Sequence, residues 1–168
     1  ALPGDVLLAA IDHRGRYVNF DNFCAALDAP HDRLRGDLAL LPSLAEAGLL
    51  SAGKDISQGG IAGTALMLCE SSGVGAVLDL DSILPPADVS LLRWLHSFPS
   101  FGFLLSVVPE HAAEVCLAFR GRGIWADPIG SITQGSDLRL QRDHETALFW
   151  DHAQIPYLSL SRKERANA

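Results

Sequence analysis

The stretch from Gly60 to Ser72 constrains the fold more than any other part of this chain. Small residues (Ala62, Gly63, Thr64, Ala65) stand among apolar ones, and Glu70 is the only charged side chain. A helix that is apolar all round belongs in an interior, so this one is expected to be buried and closely packed by other elements. Gly73 is placed to end it. A polar, glycine-bearing loop leads into it: Lys54-Asp55-Ile56-Ser57-Gln58-Gly59-Gly60.

Strands and further helices are expected around that helix. Asp5 to Ala10 reads as a strand or an extended arm, and Tyr17 to Phe20 follows a turn at Arg14-Gly15. Asp21 to Leu27 reads as a helical turn closed by Pro30. Asp32 to Ala47 reads as a helix with an apolar face of Leu34, Leu38, Leu41 and Ala45, kinked or split at Pro42 and stopped by Gly48. Val74 to Asp79 reads as a strand, and Val89 to His96 as a short helix capped by Asp88. The apolar run Phe101 to Val108 predicts a central strand, followed by a helix from Pro109 to Arg120. Ile124 to Thr133 reads as a strand bent at Pro128, completing a β-α-β unit. Leu138 to Arg142 and Thr146 to Trp150 read as a hairpin, and Ser159 to Ala168 as a fraying end. This order predicts an α+β fold, a mixed sheet with helices on its faces.

Composition bounds the function. With 168 residues and 18.0 kDa, the chain fits one domain that buries about 70% of its unfolded surface. It reads as residues 1–168, with an opening arm over 1–20 and a C-terminal tail over 151–168. Apolar residues make up 48% and charged ones 20%, which excludes a disordered chain. No apolar run approaches the ~20 residues of a membrane span. The opening Ala1-Leu2-Pro3-Gly4-Asp5 lacks the basic region of a signal peptide. A net charge of −7 opposes nucleic-acid binding. Cys24, Cys69 and Cys116 are widely spaced, with no CxxC, so three reduced thiols in a cytoplasmic protein are expected.

On residue chemistry alone, the Lys54–Gly60 loop has two readings. In one, the glycines let backbone amides approach an anion at a helix start, Lys54 adds charge, and Asp55 and Ser57 bond a substrate. In the other, Ser57 or Asp55 merely caps the helix and the glycines merely permit packing. Asp79 and Asp81 would share a strand face but read as a solvated strand end. The six histidines show no metal-ligand spacing, and no metal site is expected.

The loop and its sequel also carry a family resemblance. Lys54 to Gly63 resembles the H-D-I-S-D-G-G-L-x-G motif that opens a helix in the C-terminal domain of aminoimidazole ribonucleotide (AIR) synthetase-like proteins. Gly73 to Asp81 is similar to their S-G-V-G-A-x-I-D-L-D strand. Phe101 to Glu110 is similar to their G-G-L-L-x-A-V-P-P-E step, and Ile129 to Thr133 to their I-G-x-V strand. Pro3-Gly4-Asp5 is similar to the P-G-D that opens the domain. The resemblance spans about residues 1–142, and the segment Asn19-Phe20-Asp21 and the Arg33–Leu49 helix resemble the AIR synthase-related, sll-type subgroup.

The resemblance implies a C-terminal-domain sandwich and the substrate side of an ATP-dependent enzyme, a ligase, synthetase or kinase, that transfers a phosphoryl group to a small molecule. ATP and Mg²⁺ would belong chiefly to a missing N-terminal domain, with neither held tightly here and the isolated domain inactive. Lys54 and Asp55 would be catalytic. Asn19, Ser57, Gln58, Gly59 and Gly60 would contact substrate or phosphate. The expected partners are that N-terminal domain, a second copy in a homodimer and the substrate. Lys54 stands where the family usually has His, Gln58 where it usually has Asp, and Phe20 follows Asn19 where it has Gly. The exchange at Gln58 motivates an alternative: a non-catalytic binding or regulatory module that keeps the fold.

Overall fold

The computed structural model describes residues 1–159. Its main sheet has seven strands. In chain order they are β1 (Val6–Ile11), β4 (Ala52–Asp55), β5 (Gly75–Asp79), β7 (Gly102–Val107), β8 (Trp125–Thr133), β9 (Asp137–Arg142) and β10 (Glu145–Asp151). Their spatial order is β10-β9-β5-β8-β1-β7-β4. Only β5 and β9 run parallel as neighbours, so the sheet is mixed. A second sheet joins β2 (Arg16–Asn19), β3 (Asn22–Cys24) and β6 (Phe98–Pro99).

The opening stretch is not an arm. β1 lies inside the sheet between β7 and β8, and Leu7 to Ile11 are fully buried. Alternation then divides its side chains between two cores. Leu7, Ala9 and Ile11 meet α2 (Gly60–Ser72) and α3 (Leu91–His96) on one face, through Ile61, Leu66, Cys69 and Trp94. Leu8 and Ala10 meet α1 (His31–Glu46) and α4 (Pro109–Arg120) on the other, through Leu44, Val115 and Phe119. The result is the expected α+β sandwich. The buried Asp5 tethers the start of β1 by accepting 2.6 Å from Ser106 Oγ on β7.

The unit β7-α4-β8 is split, because β1 pairs antiparallel to both strands and lies between them. β7 is thus an interior strand rather than the central one. The register of β1 shifts opposite Pro128 and Gly130, the site of the expected bend. The β9–β10 hairpin turns through Asp143 and His144, both at positive φ (49° and 67°). Residues 21–27 form no helical turn, since β3 occupies their middle. The cap of α3 is Ser90, whose hydroxyl accepts from the Arg93 amide at 3.4 Å, while Asp88 lies outside the helix in a left-handed conformation.

α1 is unbroken through Pro42, which is exposed, so water can satisfy the carbonyl that loses its partner. Its inner face is also rotated from the expected one. Asp37 and Leu44 are buried, whereas Leu38 is 51% exposed and Ala45 is exposed. The turn of the helix follows the buried Asp37, which arginines from other elements neutralise. The fraying expected from residue 159 onward falls almost wholly outside the described residues. Among those described, no helix is long and apolar enough to cross a membrane.

Candidate functional site

β4 is an edge strand of the main sheet, and it delivers the loop to the surface. Lys54 is half-buried and Asp55 exposed. The two form an ion pair with each other, and Lys54 Nζ also donates to the Asp55 carbonyl at 3.0 Å. An exposed pair like this is worth about 1 kcal/mol or less. Gln58, three residues on, is exposed.

The rest of the loop is used internally. The Ser57 amide donates to Thr64 Oγ1 at 3.1 Å, and Ser57 Oγ donates to Met67 Sδ at 3.6 Å. Neither Ser57 nor Asp55 caps α2, whose start has no side-chain cap bond. The Gly60 amide donates to the Ser57 carbonyl at 2.8 Å. Gly60 has φ +65°, and a Cβ there would lie 2.0 Å from the Leu95 carbonyl oxygen. This glycine is therefore required by the close approach of α3.

Gly59 and Gly63, one helical turn apart, seat the Tyr157 hydroxyl, which would meet a Cβ at either position at 3.0 and 3.2 Å. The tail reaches this seat because the amides of Tyr157 and Leu158 both donate to Glu70 Oε2 at 2.8 Å. Trp150 Nε1 donates to the Ile155 carbonyl at 2.7 Å and closes the turn before it. Tyr157 and Leu158 thus clasp the glycine face of α2.

Asn19 lies apart from the loop, at the end of β2. It walls a cavity of about 370 Å³ with Asn22, Phe98 and Ser100, and none of residues 54–60 contributes to that wall. Asp79 binds its own turn, accepting from the Asp81 amide at 3.1 Å and from Ser82 Oγ at 2.7 Å. Asp81 Oδ2 accepts from the Asp143 amide at 2.8 Å. Among the described residues, no three His, Cys, Asp or Glu side chains are grouped to hold a metal.

The strongest polar cluster escaped sequence reasoning. Asp12 and Asp37 are buried to 2% and 1% exposure. Arg14 binds Asp12 through Nε and a terminal nitrogen at 2.7 and 2.9 Å, and reaches Asp37 at 3.2 Å. Arg122 Nε donates to Asp37 at 2.5 Å. Arg33 stands 3.8 Å from Asp12 and donates to the Ala25 carbonyl at 2.9 Å. Hydrogen bonding to Asp12 holds the Arg14 guanidinium above its ordinary range. These residues come from three separate segments, so no local motif announces them. Beside them His13 stacks on Trp125, with ring centroids 5.2 Å apart, and burial pushes its pKa down.

Cys24, Cys69 and Cys116 are free thiols. Burial pushes Cys69 up to about 12 and also raises Cys116. At Cys24 burial acts upward too. Hydrogen bonds with Ser100 and with the backbone of Leu27 and Ala26, together with nearby Arg16, outweigh it and leave the thiol below its ordinary value.

The mixed sheet with helices on both faces, one of them glycine-led, is the α+β sandwich expected of an AIR synthase-type domain. The family model for the AIR synthase related protein, C-terminal domain, matches residues 29–143, and the chain belongs to that family. The protein sll0787 of Synechocystis sp. is 45% identical over 158 residues, covering 93% of this chain and 49% of that protein. The Methanocaldococcus jannaschii protein MJ0640 is 30% identical over 131 residues, covering 77% of this chain and 40% of its own length. The chain thus spans about half the length of the curated relatives it matches.

Among solved structures, T. maritima PurL complexed with ADP superposes with a TM-score of 0.71 at 15% identity, over 93% of this chain and 26% of that one. E. coli HypE gives 0.66 at 17% identity, over 89% and 50%. At such identities the likeness is one of fold.

Proposed function

We propose that this chain is the substrate-side domain of an AIR synthase-like, ATP-dependent enzyme that transfers a phosphoryl group to a small molecule. The observation that carries the reading is the placement of Lys54 and Asp55. They end an edge strand, in a self-contained and exposed pair, and Gln58 is exposed in the loop that follows. A companion half, of the kind that relatives about twice as long would carry, can approach that edge. Lys54 then stabilises charge developing on the transferred group, and Asp55 orients the acceptor. Gln58 and the rim of Gly59 contact the anionic part of the substrate. In this reading ATP and Mg²⁺ belong to the companion half, as the family resemblance implies. The PurL relative solved with ADP supports nucleotide use in the family.

A second reading, a binding or regulatory module without chemistry, is favoured by one feature. Gly60 spends its amide on Ser57 and its open side on Leu95, which leaves fewer donors for a phosphate.

Titrating inorganic phosphate while following backbone amide shifts tests the loop. The proposal expects shifts at Lys54, Ser57, Gln58 and Gly59, reduced by Lys54→Ala. No shift in this loop up to tens of millimolar phosphate, roughly −3 kcal/mol of affinity, would count against it.

A further inference from the structure

The β2–β3 hairpin presents two cavities on one outer face. The ladder pairs Arg16 with Cys24, Tyr17 with Phe23, and Asn19 with Asn22. Tyr17 and Phe23 turn inward, with ring centroids 5.3 Å apart and Phe23 edge-on to Trp94. Arg16 and Cys24 therefore point outward together.

Cys24 walls both cavities. The first, about 370 Å³, is mainly apolar, with Val18, Phe20, Leu27 and Phe98 beside the amides of Asn19 and Asn22. The second, about 180 Å³, holds Arg14, Arg16 and Arg33 against the single carboxylate of Asp28. The two flank Cys24, and the first alone falls within the ~300–1,000 Å³ typical of small-molecule sites.

Charge singles out the second cavity. Behind its wall, Asp12 and Asp37 engage Arg14, Arg33 and Arg122, while Asp28 engages Arg16 at 2.8 Å. Four guanidinium groups thus meet three carboxylates in a chain whose net charge is −7. Arg16 and Asp28 are both well exposed, so their pair is weak and an incoming anion can displace it.

The first cavity has its own unusual feature. Phe20 is 94% exposed and sits at φ +49°, a costly conformation for a bulky side chain, with the exposed Leu27 lining the same cavity. Two apolar side chains held out in water over a cavity gain by covering a ligand.

We propose that this face binds a small molecule that joins an aromatic body to an anionic group. The body lies among Phe20, Leu27 and Phe98, and the anion meets Arg16 and the outer edges of Arg14 and Arg33. Cys24 lies at the junction, and Asn19 and Asn22 hydrogen-bond polar atoms of the ring. The site is distinct from the Lys54–Gly60 loop, which contributes nothing to either wall.

Phenyl phosphate and benzoate serve as probes, with inorganic phosphate and benzyl alcohol as the separated halves. Alkylation of Cys24 by iodoacetamide reports occupancy, because Cys69 and Cys116 are buried. A joined probe slows Cys24 alkylation and shifts the amides of Arg16, Asn19 and Cys24. The tighter of the two joined probes identifies the anionic group. Each half alone binds at least about tenfold more weakly, a difference of about 1.4 kcal/mol. Arg16→Gln, at a side chain 62% exposed, weakens the joined probe several-fold. Leu27→Asp does the same from the apolar side. The proposal is overturned if neither joined probe protects Cys24 at 10 mM, about the −3 kcal/mol level. It is equally overturned if inorganic phosphate binds as well as phenyl phosphate, or if Arg16→Gln leaves protection unchanged.

Discussion

Asp37 on α1 accepts a 2.5 Å hydrogen bond from Arg122 Nε, which lies between α4 and β8. With Arg14 on its other oxygen, this carboxylate ties α1 to the turn after β1 and to the turn after α4. Removing the carboxylate strands guanidinium charge at a partly buried site. Asp37→Ala is expected to cost about 3 kcal/mol, near the low end for a broken buried pair because both arginines are about one-third exposed. Urea denaturation of the two proteins measures it.

Gly60 carries a backbone demand that Gly48 does not share in full. Both have positive φ, but a Cβ at Gly48 meets nothing within 4 Å, whereas one at Gly60 lies 2.0 Å from a backbone oxygen. Gly48→Ala is expected to cost about 1 kcal/mol from the left-handed conformation alone. Gly60→Ala should cost at least about 3 kcal/mol, because α2 must part from α3. Chemical denaturation of both variants gives the comparison.

Stability should fall at both ends of the pH range, for assignable reasons. Burial holds His13 below 6.5, against a smaller opposing pull from Asp12. Below pH 6.5 the unfolded chain therefore binds a proton that the native one refuses, and stability drops as pH falls toward the native value. His13→Phe, between Trp94 and Trp125, should flatten this part of the acid slope. Cys69 is raised from 9.0 to about 12. Its contribution is complete below pH 9 and is lost as pH rises toward 12, and Cys69→Ala should flatten that alkaline slope. Unfolding free energies across pH check both signs.

The thiols should separate by rate. Cys24 is only partly buried and has a lowered pKa, whereas Cys69 and Cys116 are buried and raised. A colorimetric thiol reagent should modify Cys24 rapidly and the other two only on unfolding.

Elements whose signals are local could be read from the sequence. α2 announces itself by uniform apolarity and ends at Gly73, α4 by Pro109 at its first turn, and the last hairpin by paired strands around Asp143-His144. The place of β1 at the heart of the sheet could not, because a short apolar run says nothing of its neighbours. The face of α1 was misjudged because a buried Asp37 reads as polar until Arg14 and Arg122 arrive from distant segments. The small sheet was missed because β3 and β6 are too short to show a period. At the candidate site, Asp55 and Gln58 are exposed with Lys54 half-buried on the same loop, but Asn19 belongs to a different cavity. The Tyr157 clasp over Gly59 and Gly63 has no local signature at all.

ATP consumption tests the central claim most directly. It should be measured for this chain alone, and for the chain combined with the half of the Synechocystis relative that it does not match. Gel filtration establishes that the two associate. The account predicts no turnover by the chain alone, turnover by the complex, and losses of roughly 10²-fold on Asp55→Ala or Lys54→Ala, the scale of one removed electrostatic contact in a transition state. A complex that forms but consumes no ATP, or one whose turnover is indifferent to both substitutions, would contradict it.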